Sequence, residues 1–170
     1  DNSFVNLLAV IGIFIVLLIT FRSLSLPFIL LFTIETAIWI NLAIPYFAGN
    51  ALNFVGYLII NTVQLGATVD YAILMTNTYM NNRKTLNKRD AMEITLADNL
   101  PAVLTSAGIL STAGFALALS SSNPIVSDLG TLLGRGTLLS LGMVTLVLPA
   151  LLVLFDKIIK KTTFSVKEWN

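Results

Sequence analysis

LGATVDYAILMTNTYMNNR, residues 65–83, carries one carboxylate, Asp70, in the middle of an otherwise apolar helical stretch. A charge at the centre of a bilayer costs at least about 2.5–3.5 kcal/mol, so such a group normally faces a protein interior and serves ion or proton movement. If this stretch crosses a membrane, the fold is a helix bundle organised around it.

Composition supports that reading. Hydrophobic residues make up 56% of the 170 positions and charged ones 11%, with a mean hydropathy of +0.86; a soluble domain has about 25% charged residues. Cysteine and histidine are both absent. That excludes disulfides, thiolate chemistry, Cys/His metal clusters and any Ser-His or Cys-His nucleophile pair, so no metal or enzymatic site is expected. The net charge of +1 gives no case for nucleic-acid binding. The opening Asp1, in place of Met, suggests a fragment or a processed chain.

Outward from residues 65–83, the hydropathy pattern predicts five spans, at about residues 4–21, 27–47, 54–79, 100–119 and 129–155. The first stops at Arg22. The turn FRSLSLP follows, with Ser25 as the candidate cap and Pro27 in the first turn of the second span. The uncharged link AGNALN, residues 48–53, makes spans two and three an antiparallel hairpin. After the third span, NNRKTLNKRDAMEITLADN is polar; Asn87 followed by Asp90 marks a helix start, read as a short amphipathic helix at the cytoplasmic surface between spans three and four. SSSNPIVSD, residues 120–128, reads as a loop, and Pro149 as a late break in the fifth span. The expected fold is an all-α membrane bundle.

Arg22, Arg83, Lys84, Lys88, Arg89, Lys157, Lys160 and Lys161 all follow odd-numbered spans. By the positive-inside rule the N-terminus is outside and the C-terminus cytoplasmic in a multi-pass protein of the cell membrane. Arg135 is the exception, expected to snorkel or to pair with Asp128.

At the helical rise, Asp70 lies roughly 24 Å and Glu35 roughly 18 Å from the outer ends of their spans. A carboxyl group at that depth can load a proton from one side and release it to the other. Each proton crossing 100 mV is worth about 2.3 kcal/mol, enough over one or two protons to bias a two-state packing. Tyr71, adjacent to Asp70, points about 100° away and reaches a neighbouring helix. Gly66, Ala67, Leu74 and Asn77 share the face of Asp70. In the fourth span Thr105, Gly108 and Thr112 form a stripe of small and polar residues, placed by this reading against the third span. Glu35, Asn77, Thr105 and Thr112 are candidates for a secondary polar site, Glu35 on depth alone and with Thr36 as a local partner. Gly130 and Gly134, a GxxxG pair, signal close packing. The blander reading makes Asp70 a neutral packing residue and the hydroxyls mere helix glue.

LGATVDYAIL with its polar end, then LPAVLTSAGILSTAGFALAL, then LGTLLGRGTLLS, together with the turn FRSLSLPFILL, resembles the C-terminal transmembrane half of the resistance-nodulation-division superfamily, most closely its MMPL-like exporters. The likeness runs over nearly the whole chain. It implies a protein of two similar halves, each with a large extracytoplasmic domain, exporting lipids or other hydrophobic compounds on the proton gradient with no further cofactor. It also implies that Asp70 and Tyr71 face their counterparts in the other half as a proton relay. The N-terminal half, the extracytoplasmic domains, membrane lipids and a hydrophobic substrate are then the partners. The rival readings are a sterol-sensing-like lipid-binding module without transport, and an intramembrane aspartyl protease, which needs a second deep aspartate that these spans lack.

Overall fold

The computed structural model describes residues 2–49 and 54–163, with side chains from Leu7 onward apart from those of residues 54–55 and 58–60. Apart from short connections they are helical: α1 (Asn2–Phe21), α2 (Ser25–Phe47), α3 (Phe54–Asn82), α4 (Lys88–Ser120), α5 (Pro124–Gly142), a π-helical turn (Met143–Val147), α6 (Leu148–Leu154) and α7 (Asp156–Thr162). Ser25–Phe47, Lys88–Ser120 and the run Pro124–Leu154 are each long and apolar enough to cross a membrane, and Leu7–Phe21 is a shorter apolar helix. Of the link at residues 48–53, residues 50–53 lie outside the described part. Gly49 leaves α2 at φ 72°, where the missing Cβ removes the strain.

Several boundaries differ from the sequence reading. The separate surface helix between spans three and four is absent, because α4 is one unbroken helix of 33 residues. Asn87 does cap its start, accepting from the Arg89 and Asp90 amides. The helix then continues through Pro101, whose missing N–H falls on an exposed face. The loop expected over residues 120–128 shrinks to three residues: Asn123 caps α5 by accepting from the Ile125 amide, and Pro124 opens the helix, where a proline is cheapest. Ser25 does not cap α2; its hydroxyl lies 2.6 Å from the Thr162 hydroxyl instead. Pro149 does not end the last span. The π-turn immediately before α6 takes up the carbonyl crowding that its ring creates.

Burial in lipid gives helices no hydrophobic drive toward one another, so close packing and hydrogen bonds hold the bundle. At one end Leu17, Leu26, Leu30, Ile34, Met75, Tyr79, Leu148, Leu152 and Ile159 form the core shared by α1, α2, α3, α6 and α7. The α4–α5 seam uses glycine. A Cβ on Gly114 would stand 2.5 Å from the Gly134 nitrogen, and one on Gly130 would stand 2.5 Å from the Ala118 nitrogen. Ser111 donates to the Gly134 carbonyl at 3.1 Å and Ser127 to the Ala118 carbonyl at 2.8 Å, so the backbones meet directly. The close packing read from the Gly130–Gly134 pair is therefore present, with Gly114 as its third member.

Gly66 and Gly108 are different, since a Cβ on either meets nothing within 4 Å. Gly114→Val is expected to destabilise the protein by about 1–3 kcal/mol or more through overpacking. Within this chain taken by itself, Gly66→Ala is expected to be neutral or stabilising by up to about 1 kcal/mol, because the added Cβ meets nothing among the described residues and helix propensity improves. Thermal unfolding of the detergent-solubilised variants separates the two.

Candidate functional site

α3 has two faces of opposite character. Gln64, Thr68, Ala72, Met75 and Tyr79, at spacings of three and four, are buried against the bundle. Gly66, Asp70, Leu74 and Asn77, at the same spacings on the other side, are all exposed. Asp70 therefore stands on the outer surface of α3, and among the described residues no hydrogen bond or ion pair reaches it. Tyr71 turns away as expected and packs, half-buried, against the apolar core.

The hydroxyl stripe of the fourth span is not where the sequence reading put it. The buried line on α4 runs Ala91, Thr95, Asn99, Val103, Ala107, Ser111 and Gly114, a helical stripe that leaves Thr105, Gly108 and Thr112 exposed. Thr105 donates to the Pro101 carbonyl in its own helix at 2.7 Å. With Leu104, Ile109, Ala113 and Ala116, these residues line an open groove on the outer face of α4. Helix α3 meets α4 elsewhere, through Thr78 donating to Asn99 at 3.3 Å and Asn82 to Thr95 at 3.0 Å. The structure thus brings neither Thr105 nor Thr112 to the Asp70 carboxylate.

Glu35 is half-buried on α2, with one carboxylate oxygen enclosed and unpartnered and Trp39, one turn along, interacting with the group. Its expected partner Thr36 donates to Phe32 O at 2.6 Å instead.

Two polar clusters were not anticipated. In the first, Arg135 pairs with Asn41 in place of Asp128. Its Nε donates to Asn41 Oδ1 at 2.9 Å and its Nη2 to the Asn41 carbonyl at 3.0 Å. Asn41 Nδ2 donates to Gln64 Oε1 at 2.8 Å and to the Leu132 carbonyl at 3.0 Å. Thr68 donates to the Gln64 carbonyl at 2.6 Å and shares a 2.7 Å contact with Ser140. Gly136 makes room for this, since a Cβ there would collide with both amides. The cluster ties α2, α3 and α5 together on the side of α3 opposite Asp70. Asn41→Leu is expected to cost about 1–3 kcal/mol by leaving Gln64 Oε1 without its donor and the Arg135 Nε without its side-chain acceptor, read as a lower unfolding temperature.

The second cluster closes the end of the bundle. Arg83 Nε and Nη2 donate to the two oxygens of Asp156 at 2.8 and 3.0 Å, and Tyr79 Oη donates to Asp156 Oδ1 at 2.7 Å. Arg83 also caps the Leu86 carbonyl at 2.6 Å. Arg83 and Asp156 are each only 5% exposed. Burial by itself pushes the Asp156 carboxyl up; the hydrogen bonds from Arg83 and Tyr79, with the Arg83 charge, more than reverse this and hold it below its ordinary value.

The model of the MMPL family matches residues 1–168. The chain belongs to the MMPL family. It is also 31% identical over 160 residues to ActII-3, described as a membrane protein of Streptomyces coelicolor; the match covers 91% of this chain and 22% of that protein. No solved structure matches it. Family membership makes this a membrane protein of a transporter family, and the chain spans about a fifth of the relative's length. Within this MMPL chain the missed residues had a sequence signal. Asn41, Gln64, Ser140 and Arg135 are polar groups inside largely apolar helices, and Arg83 and Asp156 are opposite charges just past helix ends; what pairs them is helix rotation, which periodicity alone leaves open.

Proposed function

We propose that the chain is the C-terminal membrane half of a proton-motive-force-driven transporter that exports lipids or other hydrophobic compounds, with Asp70 and Tyr71 in its proton relay. The five spans are then α1, α2, α3, α4 and the run Pro124–Leu154, with the N-terminus outside and the C-terminus cytoplasmic. The observation that carries the reading is the position of Asp70 on a face that the described residues leave uncovered. An acid cannot stay against lipid tails at that depth without a large cost, so a further protein surface has to cover it. Gly66 and Gly108 fit this, because among the described residues a Cβ on either meets nothing within 4 Å. Two helices without side chains at those points admit the backbone of an apposing helix. The apposing surface is the other membrane half, and protonation of the shared acid then shifts the packing between halves, as in other repeat-built transporters.

In proteoliposomes carrying the full-length protein, an imposed pH gradient is expected to drive cargo movement, and cargo movement to dissipate the gradient. Cargo binding with no coupled proton flux supports instead the sterol-sensing-like module, in which the acid is structural. Glu35, with its enclosed free oxygen, is the secondary polar site in this reading; Asn77 extends the Asp70 face one helical repeat further, and Thr105 and Thr112 line the adjoining surface of α4.

A further inference from the structure

The α1–α2 turn holds an unusual residue. Arg22 has φ 47°, a left-handed conformation that L side chains rarely adopt, and among the described residues it is the one non-glycine residue to do so. Its surroundings fix that geometry: the Arg22 amide donates to the Leu18 carbonyl at 3.0 Å, Ser23 forms an antiparallel bridge with Thr163, and Ser25 meets Thr162 at 2.6 Å. The turn is therefore latched to the last turn of α7, which carries Lys160 and Lys161, both exposed. Strain of this kind, held by the surrounding structure, is characteristic of functional positions.

We propose that this corner binds an anionic phospholipid, with the Arg22 guanidinium as headgroup ligand. A cleft of about 490 Å³ opens there, lined by Leu18, Ile19, Arg22, Ser23 and Leu24. Ile19 and Leu24 are 68% and 49% exposed, so its walls are apolar, and Arg22 is the charged side chain among its lining. That pairing of one cationic head with apolar walls along the last turns of a helix matches a phosphate headgroup followed by an acyl chain. A peptide would leave its backbone groups unsatisfied on such walls. Charge complementarity selects an anionic over a zwitterionic lipid. Lys160 and Lys161 add positive potential beside the cleft, and the nearby acid, Asp156, is already neutralised by Arg83. The inference requires a membrane-embedded chain and is independent of any proton role for Asp70.

The test uses the full-length protein purified in detergent. Retention of phosphatidylglycerol and of phosphatidylcholine with the same acyl chains is compared by native mass spectrometry. Wild type is expected to retain phosphatidylglycerol about tenfold more strongly, with the preference falling as salt rises. Arg22→Gln is expected to remove at least four-fifths of that preference and Arg22→Lys to keep most of it. Arg22→Gly accepts the positive φ without strain, so it keeps the fold while losing the lipid. Equal retention of the two lipids by wild type overturns the proposal, as does unchanged phosphatidylglycerol retention in both Arg22→Gln and Arg22→Gly.

Discussion

Replacing Asp70 by Asn in the full-length protein is expected to lower gradient-driven export by at least about a hundredfold while leaving cargo binding and the unfolding temperature near wild type. Asn keeps the volume and a hydrogen-bonding edge and loses the titratable proton. The effect on flux is large because the driving force enters through that proton: at about 2.3 kcal/mol per charge per 100 mV, removing it leaves nothing to shift one packing toward the other. The effect on stability is small because Asn keeps the side-chain volume and hydrogen-bonding edge, and among the described residues Asp70 makes no ion pair or hydrogen bond that the change would break. Asp70→Glu retains a proton site displaced by one methylene and is expected to fall between the two. Proteoliposome transport under an imposed pH gradient reads all three; wild-type export by Asp70→Asn would falsify the proton-carrier role.

Asp156→Ala is expected to act in the opposite way, lowering stability by about 3–5 kcal/mol, because it strands the Arg83 guanidinium, 5% exposed, without its counter-charge. It also removes the acceptor for the buried Tyr79 hydroxyl. Replacing both charges, Arg83→Met with Asp156→Leu, is expected to recover part of that loss, since no uncompensated buried charge is left, while the Tyr79 hydroxyl and the Leu86 carbonyl lose these partners. The pH dependence has a definite sign. The folded carboxyl is held below its unfolded value, near 3.9, so its contribution is present in full above about pH 4–5 and is lost as pH falls through the folded pKa. Unfolding temperature measured from pH 8 downward should thus be flat across neutrality with respect to this group and drop in acid, and Asp156→Ala should remove that part of the drop.

The helical class, the three long apolar helices, the Asn87 cap and the glycine seam were all legible in the sequence, because each depends on local pattern. Apolar length, a capping residue and a GxxxG pair declare themselves within a few turns of one helix. What stayed illegible was rotation. Thr105 and Thr112 share a plausible stripe with Gly108, yet α4 turns Ala107 and Ser111 inward and leaves them outside. The buried line that sets this rotation is itself small and polar, so it offers no contrast to read. Arg135 looked like a surface cation with a local acid because Asp128 lies two turns back along α5. Its true partner, Asn41, is 94 residues away. The break expected before the fourth span was inferred from polarity and Pro101, but a change from polar to apolar sequence is also what a continuous helix shows when it leaves a membrane.

That continuity gives α4 the mechanics of a lever. Its 33 residues extend roughly 50 Å, and the Gly114 crossing with α5, where backbones touch, lies about 9 Å from one end and about 39 Å from the other. A rod pivoting at that point multiplies motion about fourfold from its short arm to its long arm. A displacement of 1 Å or so at Ser120, of the size that repacking one side chain produces, would therefore arrive at the Asn87 end as a stroke of several ångströms.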